Sequence, residues 1–132
     1  MDDIALRPLV LIVDDELLIR EALSDFLTTC GYETLTAAAG EDALELYETR
    51  DVAAIVTDIH MGGMDGCVLI SAVRGRGESV PIIAMSGGRL GSDVLGLATK
   101  LGADATLAKP FKPRALEGLL DRLLDRAETP AA

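Results

Sequence analysis

Apolar and polar positions along the chain alternate between two periods. Leu9-Val10-Leu11-Ile12-Val13 is a short unbroken apolar run, the pattern of a strand buried on both faces. Ile19, Ala22, Leu23, Phe26, Leu27 and Cys30 then recur at helical spacing, with Gly31 placed as the cap. Residues 32–37 alternate, as an edge strand does. Residues 40–50 predict a more polar helix carrying Ala43, Leu44 and Tyr47 on one side. Residues 53–57 predict a third strand, and Asp65 the N-cap of a helix that buries Val68, Leu69, Ala72 and Val73. Residues 80–85 form a fourth apolar run, with Pro81 tolerable near its start. Gly87, Gly88 and Gly91 lead into a weak helix interrupted by Gly96, and residues 105–108 predict a fifth strand. Leu116, Leu119, Leu120, Leu123, Leu124 and Ala127 repeat the stripe of the first helix.

The alternation is strand then helix, five times, with short connections. Such units imply right-handed crossovers and a parallel sheet with helices on both faces. Five strands suit an open doubly wound α/β sheet better than an eight-stranded barrel. No internal boundary or repeat interrupts the pattern. The expectation is one domain over residues 1–132, with a core of about 9–127 and tails at 1–7 and 128–132.

Composition narrows the function. A length of 132 residues suits one domain, and 49% hydrophobic residues with a mean hydropathy of +0.31 exclude disorder. The formal charge is −10, and the acids are concentrated in residues 1–66, with 15 acidic and 3 basic residues. Residues 67–132 hold 7 acids and 9 bases. This balance argues against nucleic acid as a partner, which needs clustered Lys and Arg. No apolar run approaches the ~20 residues of a membrane helix, and the first residues lack the features of a signal peptide. Cys30 and Cys67 read as free packing thiols, consistent with the cytoplasm.

In open parallel sheets, ligands bind beyond the carboxyl ends of the strands. The residues there are Asp14, Asp15 and Glu16 after the first strand, and Asp58 after the third. Ser86 follows the fourth, and Lys109 with Pro110 the fifth. Singly, each reads as a loop residue or a helix cap. Together, three carboxylates on one rim repel one another and need compensation. Hard oxygen donors of this kind select Mg²⁺, with Mn²⁺ a possible substitute. Adding a lysine suits an anion shared between metal and ammonium, a phosphoryl group. There is no P-loop and no G-x-G-x-x-G turn, which excludes two common nucleotide sites. The glycines at 87, 88 and 91 suit a phosphate cradle or a mobile loop.

Asp14-Asp15, Asp58, Ser86 and Lys109-Pro110-Phe111, with the Met64-Asp65-Gly66 segment and the five-fold order, resemble the receiver domain of bacterial two-component response regulators. The resemblance implies a flavodoxin-like sheet of order 2-1-3-4-5. It implies that Asp58 accepts a phosphoryl group from a phosphohistidine on a sensor histidine kinase or histidine phosphotransferase. It implies Mg²⁺ held by Asp15, by Asp14 largely through water, by Asp58 and by the His60 main-chain carbonyl. Lys109 and Ser86 would contact phosphoryl oxygens, and the Lys109-Pro110 bond would be cis. Such a chain is a signalling domain, not an enzyme with turnover.

Four positions depart from the family's pattern. Gly62-Gly63 follows Met61 where proline is usual, Ser86 stands for the commoner threonine, and Gly87-Gly88 follows it. Thr106 occupies the position of the usual switch aromatic, which puts the ordinary conformational signal in doubt. His60 reads either as a phosphodonor or metal ligand, or as a side chain governing water access to the phosphoryl group. Lys100, Lys112, Arg114, Arg122 and Arg126 give the last two helices a basic face for a downstream protein, or simply a solvated one. With no effector domain evident, the expected outputs are protein contact or onward phosphotransfer. The alternatives are a phosphorylation-independent adaptor, a fragment of a larger regulator or hybrid kinase, and a small phosphohydrolase.

Overall fold

The computed structural model describes residues 7–61, 65–87 and 91–125. Five parallel strands, β1 (Leu9–Val13), β2 (Glu33–Ala37), β3 (Ala54–Asp58), β4 (Ile82–Ser86) and β5 (Ala105–Ala108), form one sheet in the order β2-β1-β3-β4-β5. The helices α1 (Leu17–Thr29), α2 (Gly40–Thr49), α3 (Gly66–Arg74), α4 (Gly91–Leu101) and α5 (Pro113–Leu123) connect and cover them. The alternation implies an open doubly wound parallel sheet, and the observed order is the flavodoxin-like one that the family resemblance implies.

The strand side chains alternate between two cores. Leu11, Val13, Ile55, Ile82 and Ala84 meet Ala43 of α2, Leu69, Ile70 and Val73 of α3, and Ala98 of α4. Val10, Ile12, Val56, Ile83 and Met85 meet Leu23 and Leu27 of α1 and Leu116 and Leu120 of α5. Because both faces are covered, β1 is apolar throughout and β3 and β4 are apolar up to their carboxyl ends. Each buried aliphatic side chain contributes about 1.5–3 kcal/mol relative to exposure.

Several boundaries differ from the sequence reading. Tyr32 precedes β2 instead of opening it, and its buried ring sends its hydroxyl to Asp121 Oδ1 at 2.6 Å. Asp58 and Ser86 are the last residues of β3 and β4, and Pro81 stands just before β4. In α3 the buried set is Gly66, Leu69, Ile70 and Val73, while Val68 is 50% exposed. The Asp65 carboxylate accepts the Val68 N–H at 3.0 Å, so the cap is as expected but the stripe runs one position away from Val68 and Ala72. Ala22 is exposed on α1, and α4 runs through Gly96 without a break. The first helix ends as predicted, with Cys30 at the cap and Gly31 at φ 95°. The last helix ends at Leu123, and Ala127 lies outside the described residues.

Candidate functional site: an acidic rim with one lysine

The parallel register brings the ends of β1, β3, β4 and β5 to one edge. Asp14, directly after β1, is fully buried and held from four sides. Its N–H donates to the Ala37 carbonyl at 3.1 Å. Its Oδ1 accepts the Glu16 N–H at 2.9 Å, and its Oδ2 accepts Lys109 Nζ at 2.7 Å. The Arg20 guanidinium donates to its carbonyl oxygen at 2.9 Å. Asp15, one residue on, is exposed. Adjacent acids therefore differ: Asp14 is buried and held in place, while Asp15 is accessible.

Asp58 is 5% exposed. Its Oδ1 accepts the His60 N–H at 3.3 Å, and its Oδ2 lies 3.4 Å from Lys109 Nζ. Below it the chain is closely packed. The Thr57 hydroxyl donates to the Asp58 carbonyl at 2.8 Å, and the Gly66 N–H to the Ile59 carbonyl at 3.1 Å. A Cβ on Gly66 would lie 2.3 Å from the Asp58 carbonyl oxygen. Only glycine lets α3 start this close to the end of β3.

One carboxylate oxygen from each of Asp14, Asp15 and Asp58 can be chosen so that all lie within 4.8 Å of one another. Three hard anionic oxygens with one exposed member fit a Mg²⁺-like cation that keeps part of its water shell. Burial pushes the Asp58 carboxyl above the ordinary carboxylate range; the Asp14 charge adds to this, and Lys109 opposes it. For Lys109, burial alone would favour the neutral amine. The Asp14 hydrogen bond and the Asp58 charge outweigh it, so the ammonium is held above its ordinary range.

Lys109 is aimed by its own backbone. Its N–H donates to the Ser86 carbonyl at 2.7 Å, and the Lys109-Pro110 peptide is cis, as expected. Gly87 leaves room for the lysine stem, since a Cβ there would meet Lys109 Cβ at 3.3 Å. Ser86 is fully buried, and its hydroxyl makes only a 3.4 Å contact to the Gly87 carbonyl. That is beyond the about 2.5–3.0 Å of a good O–H···O bond, so the hydroxyl is weakly committed.

The structure thus gathers Asp14, Asp15, Asp58 and Lys109, with Ser86 at the end of the neighbouring strand. His60 is exposed and meets Asp58 through its main-chain N–H. Thr106 pairs with Ala84 in β5, where no aromatic stands. Cys30 and Cys67 are free thiols, packed against the two cores, and burial raises both above the ordinary thiol range. Lys100, Lys112, Arg114 and Arg122 are exposed; Arg126, Gly62, Gly63, Met64 and Gly88 lie outside the described residues. Sequence reasoning gave no role to Arg20 or Thr57, and it named Gly66 only within the Met64-Asp65-Gly66 segment of the resemblance. Arg20 left one signal, a cation in the first turn of α1, where the helix dipole disfavours it.

Beside Lys109 runs an apolar cleft of about 520 Å³, between Ile19, Ala22 and Leu23 of α1 and Pro110, Phe111 and Pro113. Leu17 and Leu18, 54% and 80% exposed, lie at the start of α1.

Known proteins agree with this geometry. The response regulator receiver domain family matches residues 10–121. A probable transcriptional regulator ycf27 of Cyanophora paradoxa is 38% identical over 122 residues, 92% of this chain and 50% of its own. The alkaline phosphatase synthesis transcriptional regulatory protein PhoP of Bacillus subtilis is 36% identical over 123 residues, again 92% and 50%. The chain spans about half the length of these relatives. A CheY-like receiver domain protein from Methanospirillum hungatei superposes with a TM-score of 0.84 at 27% identity, covering 90% of this chain and 94% of its own. The chain belongs to the response regulator receiver domain family, the receiving half of two-component signalling.

Proposed function

We propose that Asp58 is a phosphoacceptor, taking a phosphoryl group from a phosphohistidine of a sensor kinase or phosphotransfer protein in a Mg²⁺-dependent reaction. The observation that carries this reading is the shared position of Lys109 Nζ, 2.7 Å from Asp14 Oδ2 and 3.4 Å from Asp58 Oδ2. One ammonium thus serves both a fixed acid and the acceptor.

In the transfer, an Asp58 carboxylate oxygen forms a bond to phosphorus while the phosphorus–nitrogen bond of the donor breaks. The departing imidazole keeps the electron pair, and an acyl phosphate remains on Asp58. Asp14, Asp15 and Asp58, with the His60 carbonyl, would hold Mg²⁺, which neutralises charge on the transferring group. Lys109 follows that charge from Asp58 towards a phosphoryl oxygen. Ser86, weakly committed, turns its hydroxyl to another. The preset cation and hydroxyl stabilise charge without waiting for solvent to reorganise.

The donor's helices find Leu17, Leu18 and the neighbouring apolar cleft beside the acceptor, which suits docking of a histidine-bearing partner. The exposed basic residues of α4 and α5 suit a downstream protein. Gene regulation is the process named for the relatives, and this receiver is proposed to serve it by protein contact or onward transfer. No helix of the described residues is long and apolar enough to cross a membrane, which accords with cytoplasmic action. The domain catalyses its own phosphorylation and dephosphorylation only.

Acetyl phosphate with Mg²⁺ tests the reading by intact mass and peptide mapping. One phosphoryl group should appear per chain, on Asp58, and none in Asp58→Asn. Absence in wild type, or equal labelling of the variant, contradicts it.

A further inference from the structure

We propose that Arg20 is a positioning residue for the metal-binding turn, and that it sets the stance of Asp15 by holding the carbonyl of Asp14. The inference rests on the acidic rim being a cation site.

Asp14 is the hub of the turn between β1 and α1. Its carboxylate fixes the start of α1 through the Glu16 N–H, and Lys109 fixes the carboxylate from across the site. Those contacts hold the side chain. The peptide that joins Asp14 to Asp15 is held by the Arg20 guanidinium, which reaches back six residues to the Asp14 carbonyl at 2.9 Å. Asp15 is exposed and has no ion pair among the described residues, so its carboxylate takes its direction from that peptide.

Arg20 also stands where helix electrostatics disfavour a cation, in the first turn of α1. A residue in that place needs a compensating role, and the 2.9 Å bond supplies one.

The charge of Arg20 and its hydrogen bond make opposite predictions, which renders the inference testable. As a mere cation near three carboxylates, Arg20 repels a divalent ion, and its removal would tighten binding. As a positioning group, it pre-organises the turn, and its removal weakens binding. Outer-shell groups that orient metal ligands are worth about 10–100-fold in affinity.

The test uses Arg20→Met, which keeps bulk and helix propensity, and Arg20→Lys, which keeps the charge and one donor. Mg²⁺ binding is followed by calorimetry, and backbone order by amide exchange of residues 14–16 without metal. Arg20→Met should bind Mg²⁺ about tenfold more weakly and exchange the Glu16 amide faster. Arg20→Lys should recover most of both. With acetyl phosphate, Arg20→Met should need more Mg²⁺ yet approach the wild-type rate at saturation. Unchanged or tighter Mg²⁺ binding by Arg20→Met overturns the inference, as does slower phosphorylation that saturating Mg²⁺ leaves uncorrected. Failure of wild type to bind Mg²⁺ would instead remove the site reading on which it rests.

Discussion

The two rims of the sheet use charge in opposite ways. At the amino ends of the strands, charged groups are matched. Arg74 donates from Nε to the Gly102 carbonyl, from Nη1 to the Glu78 carbonyl and from Nη2 to Asp104 Oδ2, each at 3.0 Å. Asp104 Oδ2 also accepts the Ile82 N–H at 2.8 Å, at the start of β4. Arg76 pairs with Glu48, and the Tyr47 hydroxyl donates to Glu78 at 2.5 Å. At the carboxyl ends, three acids crowd one lysine, and the buried Asp58 is held in a form that burial disfavours. One rim ties helix ends to strand starts; the other gathers the charges that the proposed cation and phosphoryl site would use.

Breaking the functional rim should give the largest effect. Lys109→Ala removes the side-chain cation that, among the described residues, lies between Asp14 and Asp58, and phosphorylation by acetyl phosphate should slow by about 10²–10³-fold. Rate measurements at saturating Mg²⁺ check this. The amino rim should respond in stability alone. Arg74→Ala leaves the Gly102 carbonyl and Asp104 without their shared donor and should destabilise the fold by about 2 kcal/mol in urea unfolding, with phosphorylation unchanged.

Asp58→Asn should move stability the other way. The folded-state pKa of Asp58 is raised, so its ionised form costs stability at neutral pH and the cost fades as pH falls through the carboxylate range. At pH 7 the variant's Tm should exceed wild type by about 3 °C, a gain that shrinks towards pH 3. An equal or lower Tm would mean the rim is already compensated.

The smallest effect belongs to Tyr47, on the amino rim. Burial and then Glu78 push its hydroxyl up to about 12, so its contribution is present below its ordinary range and lost as pH rises through 12. Tyr47→Phe should cost only about 0.5 kcal/mol at pH 7 and flatten the alkaline stability profile.

Much of this architecture was legible in the residue pattern. β1 and β5 have the predicted limits, because both runs end sharply against polar residues. The site was legible because a parallel sheet sends successive strand ends to one edge, which converts Asp14, Asp15, Asp58, Ser86 and Lys109 from scattered residues into neighbours. Contacts that depend on close approach left little trace. Gly66 matters through a 2.3 Å clearance, and Arg20 through a carbonyl six residues earlier. Val68 was misplaced because nearly every position from Cys67 to Val73 is apolar, so the pattern does not say which stripe faces the core, and one position turns it by about 100°.

The division between the rims can be read directly by amide NMR with Mg²⁺ and beryllofluoride, a phosphoryl mimic. The account predicts a saturable response centred on Asp15, Asp58, Ser86 and Lys109, absent in Asp58→Asn, with Arg74 and Glu78 little changed. No response in wild type, or one centred on the Arg74 cluster, would contradict it.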